Sequence, residues 1–393
     1  MIIKKADRIA TTKPYYFATK LQEVARMNAD GGSPVLNLGI GSPDMLPPAG
    51  VIATLQQEAE QYEANKYQSY KGMPELREAY AGWYTHHFQL DLDPSTEVLP
   101  LMGSKEGIMH ISMSFLQRGD VALYPNPGYP AYKTCVELAG ARAVPYMLGA
   151  EANWLPDLEA IAATTDMSRV KIMWINYPHM PTGAVATRTF YKELIAWARR
   201  YEVLICSDNP YAFILNDDPI SPLQVTGAAE VCIELTSLSK SYNMAGWRQG
   251  ALVGGADYIQ AVLTYKSNMD SGMYRPAQYA VVHALSHGRE WFASINETYL
   301  RRKVVAGQLM DLLDLTYDDS ATGMFLWGRM QDRSKTSAEY IDDILQRARV
   351  FLTPGHIFGS QGEGYVRLSL CSSTEQLQEA VARVQTIFKP ELV

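Results

Sequence analysis

The sequence predicts an α/β protein in which helices cover a mostly parallel sheet, with a smaller α+β domain assembled from both ends of the chain. Strand-like apolar runs alternate with helical periods through the middle of the sequence, whereas the ends read as helices with short strands such as "GYVRLSL". A length of 393 residues is enough for two domains. We place the large domain at residues 46–279 and the small domain at residues 1–45 plus 280–393.

The predicted elements follow one another in a regular order. "STEVLPL" is strand-like, "GSKEGIMHISMSFLQRGD" is helical and "DVALYP" is strand-like again. "VKIMWINYP", with its β-branched and aromatic residues, suits a strand that is buried on both faces. "VLICSD" and "VCIELTS" are two more such strands. Between them, "TFYKELIAWARRYE" places one apolar face on a helix, made of Phe190, Leu194, Trp197, Ala198 and Tyr201.

Composition and charge disfavour several classes of protein. The formal net charge is −7 and no basic stripe stands out, which disfavours nucleic-acid binding. No apolar run approaches the ~18 residues that a membrane span needs, and the start of the chain has no apolar signal region, so we expect a cytoplasmic protein. The four cysteines are scattered without CxxC spacing, as reduced thiols are. His283 and His287 are one helical turn apart, but no acidic or thiol ligands cluster there, and we expect no metal.

Polar residues follow three neighbouring predicted strands. Asn176 closes one strand, Asp208 closes the next, and Ser237 to Lys240 follow a third. In open α/β sheets, ligands bind outside the carboxyl ends of the strands. Residues that are distant in sequence can therefore converge there on one ligand.

Lys240 lies in "TSLSKSYNMAGWRQG", among hydroxyl side chains. A lysine amine can form a Schiff base with an aldehyde, which is how pyridoxal phosphate is held. Ser237 and Ser239 flank the lysine, and Arg248 can donate a two-bond fork to phosphate oxygens. A lysine in a polar loop is by itself more often merely solvated, so the prediction depends on the joint pattern.

Asp208 ends a predicted buried strand, where a carboxylate is costly unless it is paired. Against a pyridine nitrogen it would keep that nitrogen protonated and make the ring an electron sink. Tyr211 could then hydrogen-bond the phenolic oxygen of the ring. The alternative is a turn or N-cap residue within "SDNPY".

The chain resembles the class I/II aminotransferases of the pyridoxal-phosphate-dependent fold type I along nearly its whole length. Eight stretches match the family pattern in order and spacing: "NLGIGSPD", "YQSYKGMPELREA", "GSKEG", "YPNPGYPAY", "NYPHMPTG", "DNPYAF", "SLSKSYNMAGWRQG" and "YVRLSL". The N-terminal "KPYYFATKLQEV" is similar to the diaminopimelate-aminotransferase-like branch. Fold type I implies the two-domain architecture described above.

The resemblance implies a role for each matching residue. Lys240 forms the internal aldimine and then moves the proton between the substrate Cα and the cofactor. Asp208 pairs with the ring nitrogen, Tyr211 faces the phenolic oxygen and Tyr129 stacks on the ring. Tyr67 reaches the phosphate of the neighbouring subunit. The phosphate of the same subunit is held by Ser104, Lys105, Ser237, Ser239 and Arg248.

The substrate side of the site follows from the same resemblance. Arg367 clamps the substrate α-carboxylate in a planar fork, assisted by the backbone at Ile40 and Gly41, with Tyr15 as a further contact. Taken alone, Arg367 fits a salt bridge at a strand edge equally well. Candidates for a second carboxylate clamp are Arg275, Arg289 and Arg301, with nothing to choose among them. Aspartate, alanine, aromatic and diaminopimelate specificities therefore stay open.

The resemblance implies an aminotransferase that moves the α-amino group of an L-amino acid to a 2-oxo acid by a ping-pong mechanism through a Lys240 aldimine. The alternative is another reaction of the same cofactor, a β-lyase or a decarboxylase. A non-catalytic regulator that senses the cofactor is disfavoured, because no basic helix-turn-helix precedes the motifs. A nicotinamide-dependent oxidoreductase fails because Asp44 stands where the third glycine of G-x-G-x-x-G belongs. A homodimer is the expected assembly.

Met180 departs from the family pattern, because an asparagine that donates a hydrogen bond to the phenolic oxygen usually precedes the proline of "NYPHMPTG". Methionine cannot donate, so the anionic oxygen keeps the imine proton more tightly unless His179, Asn176 or a water replaces the donor. We therefore predict a higher pKa for the internal aldimine than in asparagine-bearing relatives, measured by a pH titration of the visible absorbance. Full conversion to the protonated band only at low pH would contradict this.

Overall fold

The strands and helices of the computed structural model, which describes residues 2–12 and 14–389, alternate through the middle of the chain. The strands are β1 (Leu36–Asn37), β2 (Val98–Leu101), β3 (Val121–Asn126), β4 (Arg142–Met147), β5 (Val170–Ile175), β6 (Leu204–Asp208), β7 (Cys232–Ser237), β8 (Gly250–Gly254), β9 (Leu315–Thr316), β10 (Phe325–Met330), β11 (Val350–Phe351), β12 (Thr353–Pro354) and β13 (Tyr365–Ser369).

The helices of the described residues range from a single turn to 24 residues in length. They are α1 (Asp7–Thr11), α2 (Tyr16–Ala29), α3 (Val51–Ala59), α4 (Pro74–Phe88), α5 (Ser104–Phe115), α6 (Pro130–Leu138), α7 (Leu158–Thr164), α8 (Arg188–Tyr201), α9 (Leu238–Ser241), α10 (Ala256–Ser267), α11 (Arg275–Leu285), α12 (Arg289–Leu312), α13 (Ser337–Ala348) and α14 (Thr374–Phe388). No helix in the described part of the chain is long and apolar enough to cross a bilayer.

The large sheet has seven strands in the order β2-β8-β7-β6-β5-β3-β4. The pairs from β7 through β6, β5 and β3 to β4 are parallel, whereas β8 runs antiparallel to both of its neighbours. The predicted mostly parallel α/β sheet is thereby confirmed, with β8 as its one reversed strand. The carboxyl ends of β5, β6 and β7 consequently lie side by side at one edge of the sheet.

A second, antiparallel sheet has the order β12-β13-β10-β9 and is built entirely from the last eighty residues of the described chain. Near the other end of the chain, β1 pairs in parallel with β11, so that Leu36 lies opposite Val350. This pairing attaches the N-terminal segment to the C-terminal part, as an α+β domain built from both ends requires. The boundaries at residues 45/46 and 279/280 stay a prediction.

Helix α8 illustrates how the sequence pattern determines packing. Thr187 caps its first turn by accepting a hydrogen bond from the Phe190 amide, and Glu202 ends it in a left-handed conformation. Of the predicted apolar face, Tyr201 is half-buried and the other four residues are buried. Fully burying side chains of this size stabilises the fold by about 2 kcal/mol each.

Glu234 is a fully buried carboxyl group in the middle of β7. It accepts hydrogen bonds from the Tyr84 hydroxyl at 3.0 Å, the Ser207 hydroxyl at 3.1 Å and the Ser221 hydroxyl at 3.0 Å. Burial raises the pKa of Glu234 from its ordinary value near 4.5 to about 7, and the hydrogen bonds only partly oppose that rise. The group therefore titrates near neutrality inside the fold.

The free energy of unfolding of the wild type should fall as the pH rises, because of Glu234. We expect Glu234→Gln to abolish this fall. A carboxyl group whose pKa is higher in the folded chain than in the unfolded chain destabilises the fold progressively between the two values. Between pH 5 and pH 8, Glu234 should lower the free energy of unfolding by about 2 kcal/mol. Urea unfolding at both pH values should show that loss in the wild type and not in the variant.

The exposed Glu193 provides the matched control for this measurement. Glu193→Gln removes the same charge from the surface of α8 and should keep the wild-type pH dependence. Identical pH dependence in the wild type and in Glu234→Gln would contradict the expectation.

Candidate active site

A cavity of about 620 Å³ lies at the carboxyl edge of the large sheet. It is lined by residues that follow β5, β6 and β7, by the start of α5, by α2 near the N-terminus and by β10 and β13 of the small sheet. A volume of this size suits a small-molecule site, for which ~300–1,000 Å³ is usual. The strand ends thus converge on one space, together with side chains from both ends of the chain.

Asp208 lies at the bottom of the cavity and its side chain is buried. Its Oδ2 accepts a hydrogen bond from the Tyr132 hydroxyl at 2.8 Å, whereas Oδ1 has no hydrogen-bond partner among the described residues. Burial raises the pKa of Asp208 to about 6, and the Tyr132 hydrogen bond and the charge of Lys240 oppose that rise. The free oxygen is therefore available to a donor that enters the cavity.

Lys240 lies on α9, directly after β7, and lines the same cavity. Its ammonium group donates a hydrogen bond to the backbone carbonyl of Gly41. Burial lowers the pKa of the Lys240 amine, and the guanidinium groups of Arg367 and Arg248 lower it further. The surroundings thus favour the neutral amine, which is the form that attacks an aldehyde.

The cationic end of the cavity is built around Arg248. Its Nη1 lies 3.5 Å from the Ser239 hydroxyl, and its Nη2 donates to the Met102 carbonyl at 3.4 Å. Gly103 has a φ of 87°, and a Cβ there would lie 2.4 Å from Arg248 Nη2. Only glycine therefore leaves room for the guanidinium beside the first amide groups of α5, which begins at Ser104. Amide groups at a helix N-terminus together with a guanidinium suit a phosphate.

Arg367 lies on β13 and is buried within the cavity wall. Its Nη2 donates to the Gly39 carbonyl at 2.7 Å, and its Nη1 lies 3.3 Å from the Met180 sulfur. No carboxylate among residues 2–12 and 14–389 forms an ion pair with it. Burial lowers the pKa of Arg367 to about 10. A buried guanidinium without an acidic partner suits an anionic ligand.

The structure brings nearly all of the sequence-predicted site residues into this cavity. Those that line it are Tyr15, Ile40, Gly41, Ser104, Lys105, Tyr129, Met180, Asp208, Tyr211, Ser237, Ser239, Lys240, Arg248 and Arg367. Tyr67 does not line it; the side chain is 90% exposed on the surface of this chain. The roles of all these residues stay predictions.

None of the three candidate second clamps lines the cavity of this chain. Arg275 forms an ion pair with Glu58 at 2.7 Å, and Arg301 forms one with Glu297 at 2.6 Å. Arg289 is the first residue of α12 and is also absent from the lining.

Sequence reasoning missed Tyr132 as the hydrogen-bond donor to Asp208. Tyr132 lies one helical turn after Tyr129 at the start of α6, and "GYPAY" was the available signal. It also missed the aromatic and aliphatic wall of the cavity, whose members are Phe17, Ala18, Leu21, Phe325 and Phe358.

Of the two side chains considered as substitutes for the missing asparagine at Met180, Asn176 is already engaged and His179 does not line the cavity. The Asn176 amide oxygen accepts from the Met180 backbone amide at 2.9 Å, and its NH₂ group donates to the Asp208 carbonyl. The His179 Nδ1 lies 2.8 Å from the Thr182 hydroxyl, and His179 does not line the cavity. The predicted shift in the titration at Met180 therefore stays a prediction.

A separate titratable cluster lies outside the cavity. Ligand atoms of Glu106, His110 and Asp270 approach within 4.8 Å of one another. The Lys266 ammonium donates to both oxygens of Asp270, at 2.7 Å and 2.9 Å, and is fully buried. Because this ammonium already provides the positive charge, we interpret the cluster as an internal ion-pair network.

Comparison with known proteins agrees with this geometry. The family model described as aminotransferase class I and II matches residues 33–384. An LL-diaminopimelate aminotransferase from Aquifex aeolicus is 40% identical over 97% of this chain and 98% of its own. The structure of apo-BacF from Bacillus subtilis has a TM-score of 0.94 at 33% identity and covers 99% of both chains. An aspartate aminotransferase variant from Thermus thermophilus has a TM-score of 0.89 at 25% identity over 97% and 98% of the two chains.

We expect Tyr132→Phe to weaken the binding of pyridoxal phosphate. The change removes the hydrogen bond to Asp208, so the carboxyl group holds its proton more readily and attracts a cationic ring nitrogen less. If the loss of this hydrogen bond weakens binding by about 1.4 kcal/mol, Kd rises roughly tenfold. Titration of the purified protein with the cofactor, followed by its absorbance, measures that rise.

Tyr146→Phe is the matched control. The Tyr146 hydroxyl is equally buried and donates to the Trp174 carbonyl at 2.7 Å, but Tyr146 does not line the cavity. This variant should keep the wild-type Kd. Equal affinity in the wild type and in Tyr132→Phe would show that the hydrogen bond does not support the site.

Proposed function

Because the chain belongs to the class I and II aminotransferases and is a transaminase, we propose that the cavity carries out the transfer with Lys240 as its catalytic residue. The observation that carries the proposal is the pairing, in one cavity, of an amine with a lowered pKa and the buried Asp208 with a free oxygen. The relatives are named aminotransferases, so a β-lyase or decarboxylase is not favoured.

The family implies pyridoxal phosphate as cofactor, and the residues of the cavity fit it. Bound there, the cofactor supplies an aldehyde for amino groups and a cationic ring that withdraws electrons from the substrate Cα. Asp208 Oδ1 would accept a hydrogen bond from the protonated ring nitrogen. Tyr129 would cover a face of the ring, and Tyr211 would donate to its phenolic oxygen. The phosphate would lie against Arg248 and the start of α5.

Lys240 would hold the cofactor covalently between turnovers and move a proton during each of them. Its amine, whose pKa is lowered by burial and by the Arg367 and Arg248 guanidinium groups, can accept the proton from the substrate Cα and donate it to the carbon of the cofactor aldehyde group. The Gly41 carbonyl that now accepts from Lys240 would keep the amine on the substrate side of the cavity.

Arg367 would bind the substrate α-carboxylate. The guanidinium is buried, directed by the Gly39 carbonyl and unpaired with any described carboxylate. An incoming carboxylate would satisfy it with two parallel hydrogen bonds and would fix the Cα near Lys240. The substrates are thus an amino acid and a 2-oxo acid, exchanged in two half-reactions. The curated relatives named above make LL-diaminopimelate one donor to test.

A homodimer belongs to the proposal. Tyr67 is 90% exposed here, and neighbouring aromatic side chains are also exposed, among them Tyr62, Tyr70 and Tyr274. Exposed aromatic clusters of this kind mark interaction surfaces. A second copy would cover them and would bring Tyr67 to the phosphate of the other subunit. A cytoplasmic location remains the expectation from the sequence.

The decisive experiment loads the purified protein with pyridoxal phosphate and treats it with borohydride. Peptide mapping should find the cofactor on Lys240, and Lys240→Ala should carry no label. In a separate loaded sample without borohydride, an L-amino acid donor alone should convert the absorbance of the protein, and a 2-oxo acid should reverse the change. A colourless protein, or a label on another lysine, would overturn the proposal.

A further inference from the structure

Tyr67 projects from an irregular stretch of chain, residues 66–73, which forms no helix or strand and leads into α4. The side chain is 90% exposed, so its own chain covers little of the ring. The place of such a side chain is determined chiefly by the backbone that carries it. Under the proposed function, Tyr67 must reach the phosphate of another subunit, and a loosely held backbone would lose binding free energy in becoming ordered. The contacts of segment 66–73 therefore govern how well Tyr67 is placed.

Gln278 of α11 holds the end of this segment from inside the fold. Its side chain is fully buried. The amide oxygen accepts a hydrogen bond from the Met73 backbone amide at 2.9 Å, and the NH₂ group donates to the Met273 carbonyl at 2.7 Å. One side chain thus joins segment 66–73 to the residues that directly precede α11, across 205 positions of sequence. A buried amide whose donor and acceptor are both engaged restricts the movement of both backbones.

Gly272 brings a second segment, residues 268–274, directly against the backbone beside Tyr67. Its φ is 88°, and a Cβ there would lie 2.6 Å from the Gln68 carbonyl oxygen and 3.2 Å from that of Ser69. Only glycine therefore allows this close approach of the two backbones. Because Gln68 and Ser69 follow Tyr67 directly, segment 268–274 supports the chain within one residue of the ring.

The turn at Gly272 is fixed in its turn by the ion pair of Lys266 and Asp270. Asp270 Oδ1 accepts a hydrogen bond from the Gly272 amide at 3.0 Å. The Lys266 ammonium, which is fully buried near the end of α10, donates to both oxygens of Asp270. The buried ion pair thus holds segment 268–274 to α10, and that segment in turn supports the backbone beside Tyr67.

We propose that Gln278, Gly272 and Asp270 are positioning residues that hold Tyr67 in place for the site of the partner subunit. The inference rests on the proposed function and specifies how one subunit completes the other. Neither α11 nor segment 268–274 contributes to the described lining of this chain's own cavity. A change in this support should therefore weaken cofactor binding in the opposite subunit and leave the subunit that carries the change unaffected.

Mixed dimers, purified with two different tags after co-expression, separate these two arrangements. One chain carries Lys240→Ala, so that borohydride can fix pyridoxal phosphate only on Lys240 of the other chain. Gln278→Met, which keeps the size of the side chain but removes both hydrogen bonds, is placed on one chain or on the other. On the Lys240→Ala chain it should raise the cofactor concentration for half-maximal labelling about tenfold, as expected for a lost hydrogen bond to a charged group. On the chain that keeps Lys240 it should leave the wild-type value, and equal values in both arrangements overturn the inference.

Gly272→Ala is an independent variant that leaves the Gln278 hydrogen bonds in place and displaces the backbone at Gln68. It should give the same difference between the two arrangements. Gly140→Ala is the matched control, because Gly140 has a φ of 87° and a Cβ there would meet no described atom within 4 Å beyond its chain neighbours. This control should keep the wild-type value on either chain. A rise with Gly140→Ala as large as that with Gly272→Ala overturns the inference, because backbone strain alone would then explain both.

Tyr67→Phe separates a failure of the inference from a failure of the proposed function. On the Lys240→Ala chain it should raise the half-maximal concentration about tenfold, and Gln278→Met on the same chain should then add little, because both changes act through one hydroxyl group. Additive effects overturn the inference, and so does an effect of Tyr67→Phe without one of Gln278→Met. If Tyr67→Phe has no effect in this arrangement, or if the protein forms no dimer, the shared site of the proposed function is overturned as well.

Discussion

The structure depends on keeping charges of opposite sign buried in one cavity without letting them neutralise each other. Asp208 and Arg367 are both buried, and each keeps at least one polar atom without a partner among the described residues. Arg367 and Lys240 donate to backbone carbonyls, those of Gly39 and Gly41, rather than to the aspartate. Each charged group therefore stays available to a ligand. Burial raises the pKa of Asp208 and lowers the pKa of Arg367, and a ligand of opposite charge would oppose each shift.

The large sheet provides the rigidity that such an arrangement needs. Successive residues of β6 point to opposite faces, so Ser207 donates to the buried Glu234 while Asp208 lies at the cavity. Glu234 joins β7 to α4 through Tyr84 and to the preceding loop through Ser221. The polar layer beneath the site thus holds the ends of β6 and β7 at a fixed spacing. Asp208 and Lys240 are costly to bury, and they keep their positions because the hydrogen bonds of this layer restrict movement of the two strand ends.

The sequence predicted the sheet and the cavity floor, because both depend on local patterns. Buried strands have recognisable runs of apolar residues, and Asp208 and Lys240 follow such runs directly. The partners of those residues were not predictable in the same way. Tyr132 meets Asp208 across 76 positions, and Phe17 meets the Arg367 guanidinium from the opposite end of the chain. No periodicity encodes which distant side chains will face each other, so the aromatic part of the cavity lining appeared only in the structure.

The parallel pair of β1 and β11 has a consequence for the order in which the molecule can be completed on the ribosome. Leu36 leaves the ribosome more than three hundred residues before its strand partner Val350 is made. Until then, the segment that carries Gly39 and Gly41 lacks its strand pairing, although Lys240 can already donate to the Gly41 carbonyl and Arg302 can pair with Asp44. A nascent chain can already contain Lys240 and Asp208, but β1 finds its strand partner only after β11 has been made. The cavity wall that contains Gly41 and Arg367 is therefore completed only after all strands of the large sheet have been made.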